Sequence, residues 1–380
     1  MKKQNSYILI TNLYFNLDIK ICTIAKMLFF EANPMNLDDK IPLPIINRLP
    51  SGITKFIRIF RLCNKLFLKK YFSKKEEVLT LEMFGHVLLK RQLNNISINK
   101  SVYKLFDFNK KEITSLYESN VLVEEMEQDV EKLNAVKSLN ITPKLIEINY
   151  DEKYYVEEYL NLKHPIENQW PKTLKFVKYF IRELYNSFEI RTVYKEKLLQ
   201  KTNIEVNEKL MKNILFSRDL EEIITYINDK KYYLKDIKED YIKYAQSHGD
   251  LNRSNFFLDE NRIIGIDWEL LKYRPLYYDV FYFFLIVNRK DFNFFNKEKS
   301  DIEIKELINF LQDQCELEKS LNKEKIEMYL NCFILEYLDW KFRVYLTYKN
   351  SKDFKRRLSE IQKDIYYFEK FGREFVDIFK

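Results

Sequence analysis

The sequence predicts an α+β fold in which a small antiparallel sheet carrying one helix precedes a larger, mostly helical part. Three observations carry this expectation. Residues 76–160 hold short strand-like runs broken by a single helical stretch, the chain after Pro165 is an almost unbroken series of helical patterns, and one hairpin-like segment interrupts that series between Asn255 and Trp268.

Residues 1–75 read as an N-terminal extension with its own organisation, cut into short pieces by Pro34, Pro42, Pro44 and Pro50. Ile53 to Phe72 then has helical period. Ile53, Phe56, Ile57, Phe60, Cys63 and Phe67 fall on one side, and Lys55, Arg58, Arg61, Lys65 and Lys69 repeat along another. Such a basic amphipathic helix could make a peripheral membrane contact on an anionic surface, or grip an acidic polymer. The favoured expectation is plainer: the apolar side packs on a core while Lys and Arg face water.

Residues 76–160 form the expected sheet-bearing lobe. Glu76 to Lys90, Ser97 to Phe106 and Leu145 to Tyr159 are enriched in Val, Ile, Phe and Tyr, as strands are. Between them, Met126, Val130, Leu133, Val136 and Leu139 mark a helix over Ser119 to Leu139, which Pro143 forces to end. Residues 161–380 form the helical lobe, with helices expected at Trp170 to Phe188, Asn207 to Ile227, Tyr278 to Asn288, Ile302 to Leu317, Lys323 to Tyr348 and Phe354 to Phe371. Inside it, Phe256-Phe257-Leu258, a polar Asp259-Glu260-Asn261 turn and Ile263 to Ile266 read as a β-hairpin.

Composition narrows the function classes. Of 380 residues, 46% are hydrophobic and 32% charged, which excludes a disordered chain. The net charge of +7 is compatible with an anionic partner without selecting one, and no nucleic-acid partner is expected. Cys22, Cys63, Cys315 and Cys332 form no CxxC pair, and His86, His164 and His248 are dispersed, so neither a zinc site nor a disulfide framework is expected. No run of about 20 apolar residues spans a membrane, and the first 22 residues lack a signal-peptide pattern. The cytoplasm is the expected location, with the inner face of a membrane as the place a lipid-bound helix would hold the chain.

The chemistry lies in one short region. Phosphoryl transfer from ATP needs a carboxylate that takes the acceptor's proton, an amide oxygen and a carboxylate for magnesium, and a lysine on the phosphates. In protein kinases the base and the metal-binding Asn stand five residues apart. Asp250 and Asn255 keep that spacing, and Asp267 lies twelve residues beyond Asn255 across the expected hairpin, which brings the two together. Asn, Asp and phosphate are the oxygen ligands that magnesium prefers.

His248-Gly249-Asp250-Leu251 with Asn255, followed by Ile266-Asp267-Trp268-Glu269 and Tyr278-Asp279, resembles the aminoglycoside phosphotransferase and choline kinase-like superfamily. The resemblance implies a bilobal protein kinase-like fold and an ATP-dependent, Mg2+-assisted phosphotransferase acting on a small-molecule hydroxyl. It is strong over residues 245–285, looser over 76–160 and absent over 1–75. It implies that Asp250 is the base, that Asn255 and Asp267 bind metal with Glu269 as a further contact, that His248 belongs to the catalytic segment and braces it, and that Asp279 ties its helix to the loop. It also implies a nucleotide lysine at Lys104 paired with Glu131 (or Glu127 or Glu124), a phosphate-covering segment at Leu93 to Lys100 that lacks the usual glycines, and an adenine-binding hinge at Tyr154 to Tyr159, with Glu157 and Tyr159 as contacts.

The acceptor is least constrained. Tyr277, Tyr278, Phe281, Tyr282, Phe283, Phe284, Tyr337, Trp340, Phe342 and Tyr345 are either core or the walls of a pocket. A likeness to kinase-like proteins of bacterial surface-polysaccharide clusters favours a sugar, a glycan-linked group or an amino alcohol. Two alternatives stay open: a nucleotide-binding pseudokinase, and a membrane-peripheral protein of surface-glycan assembly.

Overall fold

Side chains that point by turns to two faces, as Tyr7 against Ile8 and Val87 against Leu88 do, mark two stretches, residues 5–16 and 78–158, that build one antiparallel sheet of eight strands. The strands are β1 (Asn5–Ile10), β2 (Leu13–Asn16), β3 (Val78–Leu81), β4 (Val87–Gln92), β5 (Ser101–Asp107), β6 (Glu112–Tyr117), β7 (Leu145–Asn149) and β8 (Tyr154–Glu158). Their order is β3-β1-β2-β4-β5-β6-β8-β7. The computed structural model describes residues 4–10, 13–32, 51–72, 78–92, 101–165, 170–201, 218–258, 263–287, 297–315, 317, 321–346 and 351–379.

The chain divides into two compact units, Met1–His164 with Phe257–Ile266, and Pro165–Phe256 with Asp267–Lys380. The expected α+β arrangement is the one formed: a sheet-based first unit and a mostly helical second. The expected boundary near residue 75, by contrast, falls inside the first unit. β1 pairs with β3 through Ile8 and Val78, and β2 pairs with β4 through Phe15 and Val87. Asn16 is polar yet buried; its Nδ2 donates to the Gly85 carbonyl at 3.0 Å and its Oδ1 accepts from the Asp18 N–H at 2.9 Å. Tyr7 seals the same turn, donating to the Met83 carbonyl at 3.0 Å and accepting from the Gly85 N–H at 2.8 Å. Satisfied polar groups of this kind let polar residues end a strand inside a core.

Helices α1 (Ile21–Phe30) and α2 (Ser51–Phe72) cover one sheet face, where Ile24, Leu28, Ile59, Leu62 and Leu66 pack with Ile8, Phe15 and Val87. The other face gathers Tyr7, Leu88, Tyr103 and Leu105. α2 overturns the favoured expectation of its orientation. Its inward side is Ile59, Leu62 and Leu66 flanked by half-buried Lys55, Arg58 and Lys69, while Ile53, Phe56, Phe60 and Phe67 are exposed. Long lysine stems can cover apolar surface while the amine finds an acceptor. Here Lys69 Nζ donates to the Leu9 carbonyl at 3.2 Å and Lys70 Nζ to that of Leu17.

α3 (Val123–Val136) buries Met126, Val130, Leu133 and Val136, the face its period predicts. β6, absent from the expected strands, forms the rung between β5 and β8.

The second unit contains α4 (Trp170–Ser187), β9 (Arg191–Tyr194), α5 (Lys195–Lys201), α6 (Arg218–Asp236), β10 (Tyr241–Ser247), β13 (Lys272–Pro275), α7 (Tyr278–Phe281), α8 (Lys297–Cys315), α9 (Lys323–Leu346) and α10 (Ser351–Asp377). α9 is its axis, with Tyr329, Phe333 and Phe342 fully buried. The helix expected at Asn207 to Ile227 is observed from Arg218, and residues 202–217 lie outside the described residues. β9, β10 and β13 form a three-stranded sheet that helical periodicity did not reveal, because two of its strands are only four residues long. The expected hairpin is present as β11 (Phe256–Leu258) paired with β12 (Ile263–Gly265). Leu258 donates to the Lys163 carbonyl at 3.1 Å, and Gly265 to that of Ile141 at 2.7 Å.

Candidate active site

The segment 248–255 leaves the end of β10 and is clamped from beneath by one carboxylate. Asp279, fully buried in the first turn of α7, accepts from the Ser247 hydroxyl at 2.8 Å, the His248 N–H at 2.8 Å and the Gly249 N–H at 2.9 Å. A carboxylate can be buried at tolerable cost when donors surround it this closely. Gly249 bends the chain with φ +85°, and a Cβ there would stand 2.4 Å from the Arg274 guanidinium. Arg274 is itself buried on β13, donating to the carbonyls of Leu270 at 2.7 Å and Ser247 at 3.4 Å and facing the Tyr278 ring at 4.7 Å. Only glycine fits, for conformation and for space.

His248 is fully buried, with its ring 4.7 Å from Trp268 and 6.1 Å from Phe180. Its Nδ1 accepts from the Asp250 N–H at 3.4 Å. The imidazole thus touches Asp250 through its backbone N–H rather than through its carboxylate.

Three side chains hold the Asp250 carboxylate. Oδ1 accepts from Asn252 Nδ2 at 2.8 Å and from the Tyr282 hydroxyl at 2.5 Å, and Oδ2 accepts from Asn255 Nδ2 at 2.9 Å. Burial, and then the charge of Asp250, pushes the Tyr282 hydroxyl well above its ordinary pKa, so it stays protonated as a donor. Tyr282 opens a π-helical turn, Tyr282–Val287, which continues α7. Asn252 also caps the short 3₁₀ turn Arg253–Asn255 by accepting from the Ser254 N–H at 2.8 Å.

Asn255 donates its amide hydrogens to the Asp250 carbonyl at 3.0 Å and to Asp250 Oδ2. This fixes the amide orientation and leaves Oδ1, 3.4 Å from Ser254 Oγ, as the oxygen that a cation would meet. Asn255 and Asp267 stand at the two feet of the β11–β12 hairpin. Asp267 adopts a left-handed backbone, φ 69° and ψ 54°, immediately before the 3₁₀ turn Trp268–Leu270 that carries half-exposed Glu269. A non-glycine residue held there stores strain of the kind that gathers at functional sites.

The residues expected to hold nucleotide lie in the first unit. Lys104 is half-buried on β5, opposite Leu89 and Ser115. Its expected partner does not meet it: Glu131, Glu127 and Glu124 are all exposed, on the side of α3 opposite Met126 and Val130. The α3 carboxylate that reaches the sheet is Asp129, which accepts from the Tyr117 hydroxyl at 2.9 Å and pairs with Lys132 at 3.2 Å.

Tyr159 is core. Its ring lies 5.3 Å from that of Phe108, its hydroxyl donates to the Glu31 carbonyl, and its N–H is taken by the Lys111 carbonyl at 2.8 Å. Neither that side chain nor that N–H is available to adenine. Glu157 is half-buried within β8, paired with Ile113. Leu93 to Lys100, the expected phosphate-covering segment, lies outside the described residues.

Among the aromatic acceptor candidates, Tyr277, Tyr278, Phe281, Phe283, Phe284, Tyr337 and Phe342 are buried core. Trp340 is half-buried and lies 6.2 Å from the Tyr337 ring, which in turn lies 6.1 Å from that of Tyr282.

No family model matches the sequence, and no curated protein matches it. Among solved structures the chain is similar to a choline kinase from Streptococcus pneumoniae, at 16% identity and TM-score 0.49, over 74% of this chain and 94% of that one. It is similar to a choline/ethanolamine kinase family protein from Mesorhizobium loti, at 13% identity and TM-score 0.47, over 77% of this chain and 92% of that one. A spectinomycin phosphotransferase solved with ADP and spectinomycin is similar at 13% identity and TM-score 0.42, over 74% of this chain and 90% of that one. Identity at this level transfers no activity to this chain.

Sequence reasoning missed Asn252, Arg274 and the bond from Tyr282 to Asp250. Arg274 carried no clear signal, since Lys272 stands two residues before it and the pair reads as ordinary exposed cations. Among the described residues no three His, Cys, Asp or Glu side chains gather into a metal cage, and no helix is long and apolar enough to cross a membrane.

Proposed function

We propose that this chain transfers the γ-phosphoryl group of ATP, with Mg2+, to a hydroxyl of a small molecule. The observation that carries the proposal is the Asp250 carboxylate, anchored by Asn252, Asn255 and Tyr282 on a loop fixed by Asp279. Both lone-pair directions of Oδ1 are engaged and one direction of Oδ2 is engaged by Asn255. The remaining direction of Oδ2 receives the acceptor O–H. The acceptor oxygen bonds to the γ-phosphorus, the bond from that phosphorus to the β–γ bridging oxygen breaks, ADP leaves, and the proton goes to Asp250.

Asn255 Oδ1 and Asp267 would hold magnesium. Two protein oxygens with phosphates and water are the usual set for that ion, which seldom occupies an all-protein cage. When bound, it neutralises charge on the β and γ phosphates. Glu269, in the turn that follows Asp267, is a further oxygen on the same strand exit. Lys104 is the lysine assigned to the phosphates. The acceptor is a sugar, a glycan-linked group or an amino alcohol, approaching beside Tyr282 and the half-buried Trp340.

Magnesium-dependent ATP consumption, screened against sugars, amino alcohols and aminoglycosides, tests the proposal. Turnover that disappears in Asp250→Asn supports it, and a wild type inactive with every acceptor sinks it. One observation favours a second reading, a nucleotide-binding protein without turnover: Glu131, Glu127 and Glu124 all turn away from Lys104. Calorimetric ATP binding without ADP release would mark that case.

A further inference from the structure

α6, α9 and α10 pack on one another around a pocket of about 390 Å³, lined by no residue of the 248–255 segment. That volume suits a small molecule. Helical spacing builds the walls. Glu327, Leu330, Asn331 and Ile334 on α9 stand at i, i+3, i+4 and i+7, and so share one face. Glu369, Gly372, Arg373 and Val376 repeat the pattern on α10, and Lys230 of α6 closes the third side. Gly372 lies inside α10, where glycine weakens a helix, and a Cβ there would stand 3.2 Å from Leu330 Cδ2. Glycine at this place lets the two helices approach and adds no side chain to the pocket.

The charges around the pocket face one another without joining. Glu369 and Arg373 are four residues apart, the spacing at which opposite charges on a helix commonly pair, yet among the described residues they form no ion pair. Lys230 Nζ stands 4.9 Å from the centre of the Tyr226 ring, and Glu369 and Glu327 act on it without forming an ion pair. Burial lowers the Lys230 pKa against the pull of those carboxylates. Tyr226 is itself buried, and its hydroxyl has no hydrogen-bond partner among the described residues; Glu369 and Arg373 are the charged groups that act on it. Lys323 and Asp377 are already paired with each other at 3.0 Å and add no net charge.

This balance selects the ligand. A simple anion would be set against Glu327 and Glu369, and a simple cation against Lys230 and Arg373. A molecule carrying both charges meets both sets, and an apolar group on it meets the floor of Leu330, Ile334 and Phe368. We propose that this pocket binds a small zwitterion with an apolar group, of the chemistry of an apolar α-amino acid, its carboxylate towards Lys230 and Arg373 and its ammonium towards Glu369. Binding here is independent of phosphoryl transfer and stands or falls separately from it.

The test is titration calorimetry of the full chain with L-leucine, and in parallel with glycine, 4-methylpentanoate and isoamylamine, which lack the apolar group, the ammonium and the carboxylate respectively. Leucine should bind saturably, at least about tenfold more tightly than each of the three. Lys230→Met and Glu369→Gln should each weaken leucine by about tenfold or more. Glu369 is exposed, so Glu369→Gln keeps its circular dichroism and melting temperature and decides the matter even where Lys230→Met melts early. No saturable leucine binding up to about 10 mM overturns the proposal. Leucine affinity unchanged in Glu369→Gln does so too, and so does 4-methylpentanoate binding as tightly as leucine, which would mark a site for anions only.

Discussion

The hydroxyl of Tyr282 donates to Oδ1 of Asp250 at 2.5 Å, across 32 residues of sequence. A phenol that burial keeps protonated is therefore a fixed part of the carboxylate's surroundings, and an incoming acceptor hydroxyl finds one oxygen of Asp250 already engaged. Tyr282→Phe removes that donor without changing the packing against Tyr278, 6.4 Å away. Loss of a buried hydrogen bond to a charged group costs about 1.5–3 kcal/mol. Urea denaturation should show a loss of that order, and a loss under about 0.5 kcal/mol would mean the bond is absent in solution.

Asp279 should matter more for the fold than for chemistry. Asp279→Ala strips three donors of their acceptor in a fully buried place. We expect a loss of roughly 3 kcal/mol or more, read as a lowered denaturation midpoint at unchanged slope. Asp250→Asn removes the charge from three hydrogen bonds and turns an NH2 towards one set of donors, so it should lower stability by about 1–3 kcal/mol as well as lowering kcat by about 10²–10⁴-fold.

At Gly249, Gly249→Ala imposes both a φ of +85° on an L-residue and a clash with the Arg274 guanidinium. A cost of about 1–3 kcal/mol is expected for the conformation alone, with turnover falling further than Tm because the loop itself must shift. Equal stability of the two proteins in a thermal melt would refute this.

Lys104→Ala should raise KM for ATP by about tenfold or more, the equivalent of a charge-assisted contact of roughly 1.5–3 kcal/mol. Glu131→Gln should leave KM unchanged, since that side chain is exposed on α3. A matching rise in both variants would restore the ion pair that the structure does not form.

His86 gives a pH dependence. Burial lowers its pKa below the ordinary 6.5, against the opposing pull of Asp107 at 3.5 Å. The unfolded chain therefore binds the proton more readily than the folded one. Stability from this group is full above about pH 6.5 and is lost as pH falls from there towards the lowered folded value. Denaturation midpoints measured from pH 7.5 to 5 should fall in the wild type and fall less in His86→Asn.

The hairpin was legible because it is written in contiguous spacing: Asp250, Asn255 and Asp267 lie within eighteen residues, and the hairpin between the last two has its own turn signature. Partners brought in by the fold were not legible. Tyr282 reaches Asp250 only because α7 is anchored under the loop by Asp279, and Arg274 reaches Gly249 only through the pairing of β13 with β10. α2 was readable as a helix, but its buried side was not. Periodicity shows where an apolar stripe lies, and α2 buries a different stripe, formed by Ile59, Leu62 and Leu66 between its lysines. β1 and β2 were hidden because Asn16 and Asp18 are polar in sequence, whereas in the fold Asn16 bonds to the Gly85 carbonyl and takes the Asp18 N–H.

The sheet order β3-β1-β2-β4 means that residues 5–16 are threaded between two strands made some sixty residues later. During synthesis the β1–β2 hairpin emerges with both edges bare and must wait for residues 78–92 before either is closed. That interval leaves open strand edges of the sort that pair promiscuously with other chains. The first unit is thus one whose earliest-made piece is completed late. Shielding by a chaperone, or slow translation through residues 17–77, would decide how much of the protein a cell recovers.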